Sequence, residues 1–119
     1  MGNSVVRWQI ISADPDSTVS FYRQLFGWTD TRDNALGYRQ LGTGSNGIDG
    51  GVWPGPPDVQ SFVQLFVEVP DVENHIRQAT KLGAQVIVPA SALPDGDTMA
   101  VLRDPAGLPF AICSSTKKS

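Results

Sequence analysis

The polar residues most able to do chemistry lie on two predicted strands, where they alternate with apolar side chains. Alternation along residues 5–11 places Arg7, Gln9 and Ile11 on one face of the first strand. The equivalent face of the strand over residues 61–69 carries two aromatic and two polar side chains, Phe62, Gln64, Phe66 and Glu68. Charged groups and amides are costly to bury without partners, so this pattern indicates a ligand cavity.

Further aromatic side chains complete this candidate site. We expect Tyr38 and Trp53, from neighbouring strands, to line the cavity with the polar groups. The predicted ligand-binding residues are Arg7, Gln9, Tyr38, Trp53, Phe62, Gln64, Phe66 and Glu68. A structural alternative stays open, in which Arg7 pairs with Glu68 and the two amides complete a polar network inside a filled barrel.

Few other side chains could react. His75, the only histidine, lies at the edge of the apolar stripe of a predicted helix, so we expect it on the surface and half-exposed. Cys113, the only cysteine, has no identifiable base or positive neighbour that would activate a thiol, so we expect it to be buried and inert. The sequence has no phosphate-binding loop, nucleophile elbow or CxxC motif, which argues against nucleotide hydrolysis, serine hydrolysis and thiol redox chemistry.

The elements that position these residues begin with a strand, a helix and three short strands. Asp14 is a good helix N-cap, Pro15 suits the first helical position and Gly27 suits the C-terminal end. The three short strands are predicted over residues 28–31, 37–41 and 47–53. Helix and strands together hold the first half of the candidate site.

A stretch rich in proline and glycine, residues 54–57, separates this half from a second one with the same order. Asp71 caps the second helix and Gly83 closes it. Three strands are predicted to follow it, over residues 84–88, 98–103 and 109–113. We expect the connection over residues 90–96 to border the mouth of the cavity.

The two halves form an internal repeat. The capping aspartates are 57 residues apart and the helix-ending glycines are 56 apart. The predicted fold class is α+β, with two βαβββ modules over residues 4–54 and 60–114 of a single domain spanning residues 1–119. Two such modules can form a curved, half-open barrel with the helices outside and a ligand on the concave face.

At this point the sequence resembles the vicinal oxygen chelate superfamily, which includes glyoxalase I, bleomycin-resistance proteins and extradiol dioxygenases. The motifs that carry the resemblance are residues 14–28, which end in LFGW, and residues 47–52, 71–84, 86–89 and 103–107. They cover nearly the whole chain in the expected order. The resemblance implies a small, single-domain glyoxalase-like protein.

The resemblance also implies a divalent metal that holds two neighbouring substrate oxygens, with two ligands from each module. Carried over by position, the four ligand positions are Arg7, Gln64, Ala111 and one of residues 50–52. Only Gln64 offers a donor atom there, and one amide is a weak ligand. A metal would need donors from elsewhere, such as Asp49, Glu68 or His75. We therefore expect neither a metal nor another cofactor.

Composition restricts the partners and the compartment. Nine Lys and Arg against 12 Asp and Glu leave a net charge of -3, and the basic residues are scattered, which argues against nucleic-acid binding. No apolar run approaches the roughly 20 residues of a membrane span. We expect a cytoplasmic protein that does not bind membranes. We also expect a homodimer, because the open side of such a barrel exposes sheet edges.

The sequence predicts a protein that binds a small organic ligand and lacks the usual metal ligands of the superfamily. One alternative is a glyoxalase-like lyase, isomerase or dioxygenase with an atypical metal site or with metal-free acid–base chemistry. That chemistry would use Arg7, Glu68 and the two amides. A third possibility is a scaffold or oligomerisation module with a filled barrel. The sequence identifies neither the ligand nor a catalytic residue.

Overall fold

The computed structural model describes residues 2–32, 38–55, 58, 60–93 and 96–114. The chain divides into two compact units, which we call the first unit, Arg7–Gln64, and the second unit, Met1–Val6 with Leu65–Ser119. The first five elements are β1 (Val5–Ser12), α1 (Pro15–Phe26), β2 (Thr29–Thr31), β3 (Arg39–Gly42) and β4 (Gly50–Pro54). The next five are β5 (Phe62–Glu68), α2 (Val72–Lys81), β6 (Gln85–Ala92), β7 (Thr98–Arg103) and β8 (Pro109–Ser114).

In the first unit the strands lie in the order β2-β3-β4-β1, with β1 parallel to β4 and the other pairs antiparallel. Helix α1 covers one face of this sheet, where Val19, Leu41 and Val52 form a buried core. Trp8, Ile10 and Trp28 pack around that core. The opposite face of the sheet is the one that carries the candidate site.

The predicted ends of α1 are confirmed. The Asp14 carboxylate accepts a hydrogen bond from the backbone N–H of Ser17 at 3.2 Å, and Pro15 begins the helix. Gly27 ends the helix with φ of 72°, a left-handed conformation that glycine adopts without a Cβ penalty. Its N–H donates to the Arg23 carbonyl at 2.9 Å.

In the second unit the strands lie in the order β5-β8-β7-β6, with β5 parallel to β8. Helix α2 begins after Asp71, whose carboxylate accepts from the N–H of Asn74 at 3.1 Å. The core on the helix side of this sheet contains the buried residues Val69, Val72, Ala100, Leu102 and Ile112. The fold class predicted from the sequence, α+β with two βαβββ modules, is confirmed.

One predicted connection is partly wrong. Residues 90–92, expected in a loop at the cavity mouth, belong to β6, which continues to Ala92. Strand β6 ends its sheet, and its register shifts between Val88 and Ser91. An edge strand with such an irregularity tolerates Pro89, because a proline there interrupts no required backbone hydrogen bond. Pro94 and Asp95 of the predicted turn lie outside the described residues.

Strand β4 also differs from its prediction, since it begins at Gly50 rather than at residue 47. Gly47 belongs to a turn instead, where its N–H donates to the Gly44 carbonyl at 3.2 Å. Gly37, the predicted first residue of the preceding strand, lies outside the described residues, and β3 starts at Arg39. Neither helix of the described chain is long and apolar enough to cross a membrane. The single-domain organisation stays a prediction.

Candidate functional site

The sheet face of the first unit that points away from α1 brings four predicted site residues together. Gln9 of β1 pairs with Gly51 of β4, which in turn pairs with Gln40 of β3. Paired residues of neighbouring strands point to the same side of a sheet. Alternation along the strands adds three predicted residues to this face, Arg7, Tyr38 and Trp53.

Two adjacent glycines in β4 allow aromatic rings to lie directly against the sheet. A Cβ atom at Gly51 would overlap the ring and hydroxyl of Tyr38, and one at Gly50 would overlap the Trp8 indole on the opposite face. Tyr38 also packs beside Trp53, with ring centroids 5.7 Å apart and planes inclined by 45°. Gly51 is therefore a residue of the candidate site that the predicted list of ligand-binding residues does not include.

Arg7 and Tyr38 interact on this face. Burial raises the pKa of the Tyr38 hydroxyl above its ordinary value of 10.0. The nearby Arg7 guanidinium opposes that rise in pKa, because its positive charge stabilises the ionised phenol. The Tyr38 phenol therefore keeps its proton near neutral pH. The positive charge beside it belongs to Arg7, which is exposed on β1.

The two predicted amides are buried polar groups in the first unit. Gln9 is 7% exposed and Gln64 is 3% exposed. Gln9 lies between Trp8 and Ile10 in sequence but on the opposite sheet face from them. A buried amide requires hydrogen-bond partners, so both side chains are polar groups that the fold must satisfy.

Phe62 lies beside a groove on the α1 side of the first unit. The groove has a volume of about 510 Å³ and is lined by Ile10, Ser17, Thr18, Phe21, Tyr22, Ser61, Phe62 and Val63. Sequence reasoning missed this groove. The available signal was the excess of apolar residues on α1, of which Phe21, Leu25 and Phe26 remain more than half exposed.

The other two predicted site residues belong to the second unit, on the sheet face away from α2. Phe66 pairs with Ala111 and Glu68 pairs with Cys113. Phe66 is buried and Glu68 is exposed. Cys113, expected to be buried, is half-buried, and its thiol donates to the Val67 carbonyl at 3.8 Å.

The donor atoms at the inherited metal positions do not fit a metal ion. Arg7 carries a cation, Ala111 is buried without a donor, and residues 50–52 are two glycines and a valine. The Asp49 carboxylate accepts from the N–H of Thr43 at 3.0 Å. His75 on α2 lies 3.1 Å from the Asp71 carbonyl through Nδ1. In the described part of the chain, no three His, Cys, Asp or Glu side chains group as metal ligands would.

Comparison with known proteins identifies the family. The sequence model described as a glyoxalase-like domain matches residues 7–113. The chain belongs to the glyoxalase-like domain family. This family lies within the glyoxalase, bleomycin-resistance and dioxygenase superfamily that the sequence motifs resemble.

Curated relatives of this glyoxalase-like chain are longer than it is. The protein named "Putative glyoxylase CFP32" from Mycobacterium bovis is 29% identical over 107 residues. The match covers 87% of this chain but 41% of CFP32, and the Mycobacterium tuberculosis protein of the same name gives the same values. The chain therefore spans less than half the length of these relatives.

Solved structures share the glyoxalase-like fold at low sequence identity. Protein BH1468 from Bacillus halodurans superposes with a TM-score of 0.71 and 12% identity, covering 100% of this chain and 99% of that protein. Methylmalonyl-CoA epimerase from Mycobacterium tuberculosis gives a TM-score of 0.64 and 16% identity, with 98% and 93% coverage. A superfamily member from Vibrio splendidus gives 0.64 and 14%, with 92% and 97% coverage. These similarities show the fold.

Proposed function

We propose that this glyoxalase-like protein binds a small organic molecule on the sheet face of its first unit that points away from α1. The observation that carries the proposal is the placement of a cationic Arg7 beside Tyr38, with Trp53 packed against the same phenol ring. Charged, hydrogen-bonding and aromatic groups in one place are typical of ligand sites. The protein does so without a metal or another cofactor.

The buried Gln64 amide, on β5 of the first unit, extends this site. Half-buried Phe62 lines the α1 groove instead. Buried Phe66 and exposed Glu68, on β5 of the second unit, stay ligand-binding predictions. The exposed charge of Arg7 beside aromatic rings supports binding rather than a filled structural core, in which charged groups would be buried and paired.

Two sets of relatives support a small-molecule ligand. One epimerase of similar fold was solved with methylmalonyl-CoA and NH4+, and a Streptomyces coelicolor epimerase with 2-nitronate-propionyl-CoA. The curated relatives carry a glyoxylase name.

A lyase, isomerase or dioxygenase activity is therefore the alternative, through an atypical metal site or through metal-free acid–base chemistry. Stoichiometric zinc, nickel, iron or manganese after mild purification, or turnover of a glutathione hemithioacetal, would favour this alternative.

A fragment screen tests the proposal. Ligand-observed NMR would measure the binding of a library of neutral, anionic and cationic small molecules to wild-type protein and to Trp53→Ala. Phe21→Ala is the matched control, because it removes an exposed aromatic side chain that lines the α1 groove instead. We expect hits that Trp53→Ala abolishes and Phe21→Ala retains. Absence of any hit, or loss of hits in Phe21→Ala alone, contradicts the proposal.

We also propose that the protein is a cytoplasmic homodimer. Support comes from β6, the last strand of its sheet, where Val86, Ile87 and Val88 are each at least 40% exposed. An exposed apolar edge strand invites pairing with another chain. Analytical ultracentrifugation at micromolar concentration should give a dimer of the 12.8 kDa chain, and Ile87→Lys should shift it toward monomer. A purely monomeric wild type contradicts the dimer.

A further inference from the structure

The α1 groove carries an apolar side chain at a position where the fold does not need one. Phe21, which lines the groove, is 57% exposed. Counted from the capping aspartates, the equivalent residue of α2 is Gln78, and every exposed position of α2 is polar. A polar side chain therefore serves the second module at this position. Exposed apolar surface that the fold does not require is typical of a binding site.

The size and the lining of the α1 groove match those of a small-molecule site. Its volume of about 510 Å³ lies within the range of about 300–1,000 Å³ that such sites have. Phe21 and Tyr22 line it from α1, and Phe62 and Val63 line it from β5. All the lining residues belong to the first unit. Aromatic side chains from two elements fit a flat apolar group between them.

One hydroxyl group on α1 can donate a hydrogen bond to a ligand in the groove. The Oγ of buried Ser12 accepts from the N–H of Asp14 at 3.0 Å and lies 2.7 Å from the Oγ1 of Thr18. A buried hydroxyl proton needs an acceptor, and among the described residues the Thr18 oxygen is the one within reach of Ser12. Ser12 therefore donates to Thr18. The proton of the Thr18 hydroxyl is then available to the groove that Thr18 lines.

A second hydroxyl group lies at the start of β5. The Oγ of Ser61 accepts from the N–H of Ala13 at 3.2 Å, so this bond does not use the Ser61 hydroxyl proton. None of the described lining residues has a charged side chain. The groove therefore offers hydroxyl donors without a cation. A neutral carbonyl oxygen suits such donors, whereas a carboxylate would lose its hydration without gaining a counter-charge.

We propose that the α1 groove is a second ligand site, which binds small neutral aromatic carbonyl compounds. The aromatic ring of the ligand packs against Phe21 and Phe62, and its carbonyl oxygen accepts from the hydroxyls of Thr18 and Ser61. Phe62, a ligand-binding residue predicted from the sequence, acts at this second site. The two sites are independent, because the site at Trp53 shares none of these residues.

Acetophenone and benzoate are matched probes for this site, because both contain a phenyl ring but only benzoate is charged. Titrations of 15N-labelled protein would give the Kd of each probe from NMR shifts. The indole signal of Trp28 is the local reporter, since Trp28 stacks on Tyr22 with ring centroids 5.4 Å apart. The test variants are Phe21→Ala and Ser61→Ala. Ser20→Ala is the matched control, because Ser20 is exposed on α1 and does not line the groove.

We expect acetophenone to shift the Trp28 signal and to bind at least tenfold more tightly than benzoate. Phe21→Ala should abolish this binding, and Ser61→Ala should weaken it about fivefold by removing one hydrogen bond. Ser20→Ala should leave the Kd unchanged. Because Phe21 and Val63 are more than half exposed, the groove covers a ligand on one side, and we expect it to bind more weakly than the site at Trp53.

Several results would overturn the second site. They are no binding of acetophenone, equal binding of benzoate, an unchanged Kd in Phe21→Ala or Ser61→Ala, and an equal loss in Ser20→Ala. Dissociation of an oligomer by Phe21→Ala, measured by analytical ultracentrifugation, would also overturn it, because a second copy of the chain would then cover the groove. None of these results removes the proposed function, which the Trp53→Ala variant tests in the fragment screen.

Discussion

Replacing Gly50 with alanine should destabilise the protein through one identifiable overlap. The new Cβ would collide with three ring carbons of Trp8, on the face of the sheet that α1 covers. Carbon atoms pack at about 3.5–4.0 Å, so the indole must move by roughly 1 Å or more. The Trp8 ring is held in place, because its Nε1–H donates to the Ile48 carbonyl at 2.7 Å and it packs on Trp28 at 5.5 Å.

The expected cost follows from these contacts. Overpacking a well-packed region costs about 1–3 kcal/mol, and a lost hydrogen bond about 1 kcal/mol. Gly50→Ala should therefore lower the free energy of unfolding by about 2–4 kcal/mol. Urea denaturation followed by far-UV circular dichroism would show this as a midpoint lower by about 1 M or more, given m values of about 1–3 kcal/mol/M for small proteins.

A control substitution and a double mutant separate the overlap from a general effect of alanine. Gly2→Ala makes the same chemical change where no atom lies within 4 Å, so its midpoint should not change. In a Trp8→Ala background the overlap disappears, and Gly50→Ala should cost little there. An equal loss of stability from Gly50→Ala with and without the Trp8 ring would refute the reasoning.

Two further predictions concern the ends of the helices. The Asp16 carboxylate accepts a hydrogen bond from Arg39 and forms an ion pair with Arg32 at 3.2 Å. Both arginines, Arg39 more than Arg32, lower the pKa of Asp16 below the ordinary 3.8. Because the folded-state pKa of Asp16 is depressed, its stabilisation of the fold is present above pH 3.8 and is lost as the pH falls below that value. Chemical denaturation should therefore give Asp16→Asn a lower free energy of unfolding than wild type at neutral pH and the same free energy in acid. Asp71→Ala removes the acceptor for the Asn74 N–H and should lower stability by about 1 kcal/mol, whereas Asp71→Asn should retain most of it.

Local sequence signals predicted the helices and most strands accurately. Asp14, Pro15 and Gly27 act within a few residues of where they stand, so their effects do not depend on the rest of the chain. Strand alternation likewise predicted that Gln9 points away from Trp8 and Ile10. The extra length of β6 was not predictable in this way, because Pro89 breaks most strands and is tolerated only at an edge.

The candidate site was predictable in its residue types but not in its contacts. Alternation identified Arg7 and Gln9, but the packing of Tyr38 against Gly51 depends on the register between β3 and β4. Because a sequence does not state that register, the contact between Gly51 and Tyr38 could not be predicted from it. The groove beside α1 was missed for a similar reason, since Phe21 is exposed only because no other element of the fold packs over it, and the sequence does not show that.

The three tryptophan indoles allow one direct measurement of where a ligand binds. Trp53 lies beside Tyr38 at the proposed site, Trp28 stacks at 5.4 Å on Tyr22 of the α1 groove, and Trp8 is held in the core of the first unit. A 15N-labelled sample titrated with the tightest fragment from the screen would give one indole N–H signal for each. We predict that the Trp53 signal shifts and saturates while the Trp28 signal does not move. Shifts of Trp28 without Trp53, or no shift in any indole signal, would contradict a ligand site on the face that carries Arg7.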